Sequence, residues 1–220
     1  MQRIIIWLIL PAMLLAYACS SKAPEGEKVE AGEAREVDAV ANADTLMIDS
    51  AASYVNWVAT EPAGGGHNGL IRLQKGMLYV ADGELKGGNF VIDMSSIDVQ
   101  DLEGGRKAKL EGHLRSDDFF DAEKYPTATF TITEVEAAED SMATHLITGN
   151  LAMRDSVKSI QIPAKIDMGG SGLAAETPKF TIDRTQWGVV HRSSVVGTVA
   201  EKLINDQLGM KVTLKAGAGS

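Results

Sequence analysis

The sequence predicts an all-β domain, an antiparallel β-barrel with one or two short helices. Three observations carry that prediction. From Ser53 onward, many short segments place apolar or β-branched residues at every second position, the period of a half-buried strand. Glycines and Asp-Gly pairs separate those segments where the chain must reverse. With about eight to ten such segments, closing the sheet on itself is the simplest way to hide its edges.

The opening stretch, MQRIIIWLILPAMLLAYAC, has Arg3 as its only charge, an apolar run from Ile4 to Leu15, and small residues at Ala16, Ala18 and Cys19. This is the layout of a secretion signal, expected to span residues 1–18. The run is shorter than the ~20 residues of a membrane-crossing helix, so removal is expected rather than retention. Cys19 is the only cysteine, which rules out an intramolecular disulfide. The segment Leu15-Ala16-Tyr17-Ala18-Cys19 resembles the lipobox of bacterial lipoproteins, although Ala16 stands where leucine is preferred and Tyr17 is bulky. That resemblance implies lipidation of Cys19 and anchoring to a membrane, since each buried CH₂ of an acyl chain adds about 0.8 kcal/mol. The expected location is the cell envelope, facing the periplasm or the cell exterior. Residues 19–44, rich in Ala, Glu and Gly and lacking aromatics beyond Cys19, are expected to form a flexible acidic tether.

The formal charge is −9, and loss of Arg3 with the signal leaves 20 basic against 30 acidic residues, or −10. Phosphate contacts need clustered Lys and Arg, so nucleic acid is not an expected partner. The folded part, residues 45–216, has the size of a single domain with one core.

The strand candidates run in order as SYVNWVAT, GLIRLQ, GMLYVAD, GGNFVIDM, ATFTITEVE, THLITGNLAM, KSIQIPAKIDM, KFTIDRT and GMKVTLK. In GGNFVIDM, Phe90, Ile92 and Met94 share one face, with Val91 and Asp93 on the other. In ATFTITEVE the faces are Ala128, Phe130 and Ile132 against Thr127, Thr129, Thr131 and Thr133. Gly76, Asp82-Gly83, Gly87-Gly88 and the Gly169–Gly172 run supply turns. Two segments break the rhythm. Asp101 to Arg115 spaces Leu102, Leu110 and Leu114 as a helix does, with Asp101 placed to cap it, and Val199 to Asp206 suggests a second short helix.

The segments GGGHNGLIRL, NFVIDMSSIDVQDLEG, KLEGHLRSDDFFDAEKYPTATFTIT, ITGNLAMRDSVKSIQIPAKI and KFTIDRTQWGV, in this order, resemble the YceI-like family of exported, lipocalin-like barrels. The resemblance covers roughly Asp49 to Leu214, and Leu114 to Phe130 is its most specific block. It implies binding rather than catalysis, because some members hold a long polyisoprenoid in the barrel's apolar interior. Eight-stranded barrels are either filled by side chains or hollowed for one slender ligand. Two departures stand out. Asp155-Ser156 follows NLAMR where the family usually has glycine, and Asp155 is expected to tolerate a positive φ there. The loop Trp187 to Val199 is expected to alter ligand preference at the barrel mouth.

The candidate pocket wall comprises Trp57, Phe90, Ile92, Met94, Phe119, Phe120, Phe130, Ile132, Phe180, Ile182 and Trp187. Taken singly, each is more simply explained as core packing; as a set they suit an isoprenoid, which offers few polar groups to recognise. His67, in a glycine-rich hairpin, is the candidate for the mouth near a head group. The same hairpin lacks the lysine of a phosphate-binding loop. Arg184 is expected to be architectural, paired with an internal carboxylate such as Asp118. His67, His113, His145 and His191 show no zinc-ligand spacing, so neither metal nor cofactor is expected. The chain has no nucleophile elbow, and the adjacent Asp117 and Asp118 should point apart, so no enzyme is expected. The leading reading is a tethered barrel binding an isoprenoid-like lipid, with a homodimer among the states the sequence allows. A structural or stress-related envelope protein with a packed barrel acting through its surface is the alternative. A hydrolase built on the Trp187 to Val199 loop ranks third.

Overall fold

A computed structural model describes residues 23–138, 142–170 and 172–218. The cleavage and lipidation expected at Cys19 lie outside the described residues. The strands are β1 (Glu27–Val29), β2 (Gly32–Glu33), β3 (Asp44–Ile48), β4 (Tyr54–Thr60), β5 (Gly66–Ala81), β6 (Glu84–Asp93), β7 (Asp98–Val99), β8 (Thr127–Ala137), β9 (His145–Met153), β10 (Ser156–Gly169), β11 (Gly172–Glu176), β12 (Phe180–Asp183) and β13 (Gln207–Ala218). One helix, α1 (Gly104–Arg115), lies between β7 and β8. Among the described residues no helix is long and apolar enough to cross a membrane.

The sheet closes in a ring. β5, β6, β8, β9, β10, β11 and β13 pair antiparallel in succession. β3 and β4 complete the circuit, each pairing with both β5 and β13 at different levels of the barrel. The period-two faces behave as the alternation predicts: Phe90 and Ile92 on β6, and Ala128, Phe130 and Ile132 on β8, are buried. The register sets Phe90 opposite Phe130 and Ile92 opposite Ala128. The two phenyl rings lie 5.4 Å apart between centroids, tilted by 31°.

Turn chemistry follows the sequence at the β5–β6 hairpin, where Asp82 (φ 54°) and Gly83 (φ 77°) form a two-residue reversal. Positive φ at both central residues matches the right-handed twist of the strands it joins. At the β9–β10 hairpin the expectation needs correction. The positive φ there, 54°, belongs to Arg154, whereas Asp155 was expected to carry it.

Residues 27–35 correct the expectation of a tether. Along β13, β12 continues the line of β11, but the first half of β10 faces no strand of the ring on that side. β1 pairs in parallel with β12, Val29 opposite Ile182, and β2 pairs antiparallel with β10, Gly32 opposite Ser159. Beyond them the Arg35 amide donates to Asn150 Oδ1 at 2.9 Å, and Asn150 Nδ2 donates back to the Arg35 carbonyl at 2.7 Å. Val29 is buried in the hydrophobic core. This segment therefore fills a seam in the ring through main-chain pairing, which demands little of its side chains.

The helical expectations are met in part. α1 starts at Gly104, and Glu103 at its N-cap makes no side-chain capping bond. Its leucines Leu110 and Leu114 are half-buried, packed on the core at one end of the barrel. Asp101 does not cap it, because its carboxylate is engaged elsewhere. The helix expected over Val199 to Asp206 is only a 3-10 turn at Ala200–Lys202, with another at Ser194–Val196.

Candidate functional site

The barrel interior is apolar and holds two small cavities. The first, of about 70 Å³, lies at the α1 end, and its wall includes Val55, Trp57, Ile71, Ile92, Met94, Leu114, Phe119, Phe120, Ala128, Ile182, Arg184 and Met210. The second, of about 50 Å³, is walled by residues that include Leu78, Leu85, Phe90, Phe130, Ile132, Ile162 and Leu214. Ligand pockets usually enclose roughly 300–1,000 Å³. In this conformation, therefore, side chains fill most of the barrel. Met94 and Met210 are unbranched and re-pack readily, which gives the first cavity its most adaptable wall.

The expected wall residues divide three ways. Trp57, Ile92, Met94, Phe119, Phe120 and Ile182 line the first cavity, and Phe90, Phe130 and Ile132 line the second. Phe180 and Trp187 line neither cavity and are almost wholly enclosed by the surrounding side chains. Trp187 Nε1 donates to the Leu151 carbonyl at 2.9 Å, which satisfies its polar atom inside the core. His67 also lines neither cavity.

Trp57 carries the one irregularity in the wall. β4 turns it inward opposite Gly69 of β5, and a side chain at Gly69 would meet the indole Cζ2 at 2.7 Å, so only glycine leaves it room. Its Nε1 is the sole buried side-chain nitrogen or oxygen among the described residues without a hydrogen-bond partner. Buried donors are nearly always satisfied, and an exception calls for an explanation.

Arg184 closes the α1 end of the barrel. It is 3% exposed and follows β12 in a short 3-10 turn that Asp183 caps by accepting from the Thr185 amide. Its guanidinium donates to the carbonyls of Val189 at 2.6 Å, Ile204 at 3.1 Å and Asn205 at 3.2 Å, and meets Asp206 Oδ1 at 3.4 Å. Burial pushes its pKa below the usual arginine value, while Asp206 and Asp183 pull it back up. Its role is architectural as expected, but its carboxylate partner is Asp206 rather than Asp118.

Asp118 instead joins two histidines that lie far apart in the chain. Its Oδ2 is 2.9 Å from His113 Nε2, on the last turn of α1, and its Oδ1 is 3.7 Å from His191 Nδ1, on the loop after Trp187. The imidazole centroids are 5.1 Å apart, and the Phe119 ring packs at 5.0 Å from His113 and 4.8 Å from His191. Burial lowers the His191 pKa, with further lowering from His113, Arg192 and Arg184, against the opposing pull of Asp118. Local spacing could not reveal this group, because the fold brings the loop over the end of α1.

His67 forms a separate pair. Asp101 Oδ2 lies 2.8 Å from its Nδ1, and Asp101 Oδ1 accepts from the Asn68 amide at 2.9 Å. Desolvation raises the Asp101 pKa, but the hydrogen bonds from Asn68 and His67 outweigh it, and the carboxyl stays below its ordinary value of 3.8. Asp101→Ala should reduce stability near pH 7 by about 1–2 kcal/mol, since it removes two bonds to a carboxylate and strands an amide. The folded pKa is depressed, so this contribution is complete above pH 3.8 and fades as pH falls through the lower folded value. Urea unfolding of both proteins at pH 7 and pH 3 checks it: the gap should narrow in acid.

Comparison with known proteins agrees with this architecture. The YceI-like domain matches residues 46–216. The UPF0312 protein of Pseudomonas aeruginosa is 48% identical over 59 residues, which are 27% of this chain and 29% of that protein. Protein YceI of Escherichia coli is 36% identical over 78 residues, 36% of each chain. These matches span about a third of the relatives' own length. BcnA of Burkholderia cenocepacia superposes with a TM-score of 0.59 at 19% identity, covering 76% of this chain and 98% of its own. A polyisoprenoid binding domain from Saccharophagus degradans superposes with a TM-score of 0.55 at 15% identity, covering 79% and 98%. With the family domain spanning nearly all of the ring of strands, the chain belongs to the YceI-like family.

Proposed function

We propose that this protein is an exported, lipid-anchored barrel that binds an isoprenoid-like lipid carrying a hydrogen-bond acceptor. One observation carries the reading: the first cavity has an almost wholly apolar wall that includes Trp57, whose buried Nε1–H has no partner. A hydrocarbon tail would gain from burial against Met94, Phe119, Phe120 and Met210, and an oxygen on the ligand would satisfy the indole. The Saccharophagus domain of the same fold is described as binding a polyisoprenoid, which supports the choice of lipid. Anchoring through Cys19 would hold the barrel at the envelope, near a source of such lipids. Binding requires Met94, Met210 and Phe120 to swing aside, since about 70 Å³ does not hold a long tail.

The small cavity volumes favour a second reading, in which the barrel stays packed and acts through its surface. Val195, Val196 and Val199 are exposed on the loop between Val189 and Ile204, two residues of the first cavity's wall. Native mass spectrometry with organic extraction separates the two. The full chain, gently purified from its host, should carry a discrete added mass that extracts as an isoprenoid. Trp57→Phe keeps the ring and removes the N–H. It should weaken an oxygen-bearing isoprenoid by about 1 kcal/mol, roughly fivefold, and leave a plain hydrocarbon unaffected. A bare polypeptide that stays bare after incubation with isoprenoids would remove the lipid reading in favour of the packed barrel.

A further inference from the structure

We propose that His113, Asp118 and His191 form a binding site for a divalent transition-metal cation, with zinc, nickel and copper the ions it suits. The site is independent of the lipid reading. Two imidazoles and a carboxylate are the donor set such ions take in proteins, and three protein ligands leave a fourth position open to solvent. The three donor atoms lie within 4.8 Å of one another. Ligands at about 2.0–2.2 Å in a tetrahedral shell stand roughly 3.3 Å apart, so the widest separation must close by up to about 1.5 Å. It can, because His113 and Asp118 are exposed and His191 is only half-buried, which leaves the three side chains room for small adjustments.

Asp118 already turns one oxygen toward each imidazole, hydrogen-bonded to His113 and 3.7 Å from His191. Phe119, packed against both rings, limits where they can turn. The neighbouring cations are themselves held: Arg192 lies 3.3 Å from Glu61, and Arg184 pairs with Asp206. His113 belongs to α1 and His191 to the loop after Trp187, so an ion bound here would staple those two segments together. Phe119, sitting between them, lines the first cavity, and the staple would fix that part of its wall.

The test is titration calorimetry of the full chain with zinc alone, then nickel alone, in a non-chelating buffer, with imidazole nitrogens followed by NMR. One ion should bind per chain, and the His113 and His191 resonances should move while those of His67 and His145 stay in place. Losing an outer partner of a metal ligand already weakens binding roughly tenfold or more, so His191→Ala and Asp118→Ala should each weaken it at least that much. His67→Ala and His145→Ala should change nothing. Circular dichroism confirms that the variants fold. Absence of saturable binding, or binding that survives both His191→Ala and Asp118→Ala, would overturn the assignment.

Discussion

Replacing Arg184 with methionine should lower the unfolding free energy by about 3–5 kcal/mol, the range seen when one partner of a buried charged network is removed. The guanidinium serves three main-chain carbonyls, those of Val189, Ile204 and Asn205, together with Asp206. All four acceptors lie in the stretch between β12 and β13. Methionine fills much of the same volume but makes none of those bonds, and a buried acceptor that loses its donor costs about 1–3 kcal/mol if water cannot reach it. Arg184→Lys should recover little, because a single ammonium cannot reproduce the planar fork that reaches separate carbonyls. Urea denaturation of the three proteins decides the matter. Equal stability of Arg184→Met and the parent would mean that desolvating the guanidinium cancels all its bonds return.

A chain starting at Asp44 should lose about 2–4 kcal/mol and tend to self-associate. Burial of Val29 alone is worth roughly 1.5–3 kcal/mol. The main-chain pairs of β1 and β2, and the Arg35–Asn150 exchange, are lost with it. Removal exposes the edges of β10 and β12, and bare edges recruit other strands. Thermal melting and size-exclusion chromatography of the truncated and longer chains check both effects. A monomer of unchanged stability would show that the seam closes without β1 and β2. The segment lies ahead of residues 46–216, the part of the chain that matches the family domain.

The barrel itself was legible because its signal is local. A strand's side chains alternate by geometry, so apolar residues at every second position already place Phe90, Ile92, Phe130 and Ile132 on the inner face. Asp82-Gly83 marks its hairpin for a similar reason, since positive φ at adjacent residues restricts which side chains fit. Alternation distinguishes inside from outside, however, and not a cavity wall from solid packing. Phe180 shares the alternation of Ile182 on β12 yet lines neither cavity, because what surrounds it comes from strands and loops distant in the chain.

By itself, then, the sequence determined the all-β class, the inward faces of the strands, the position of the one helix to within three residues, and the family. Its local periodicity and turn chemistry act over a few residues and leave a direct trace in residue order. Only the tertiary structure decided that residues 27–35 fill a seam, that Arg184 pairs with Asp206, and that Asp118 brings His113 and His191 together. These contacts depend on closure of the ring and on the path of the loop after Trp187 over the end of α1. Main-chain pairing at a seam and side-chain contacts between distant segments carry no period along the chain, so they exist only once the barrel has closed.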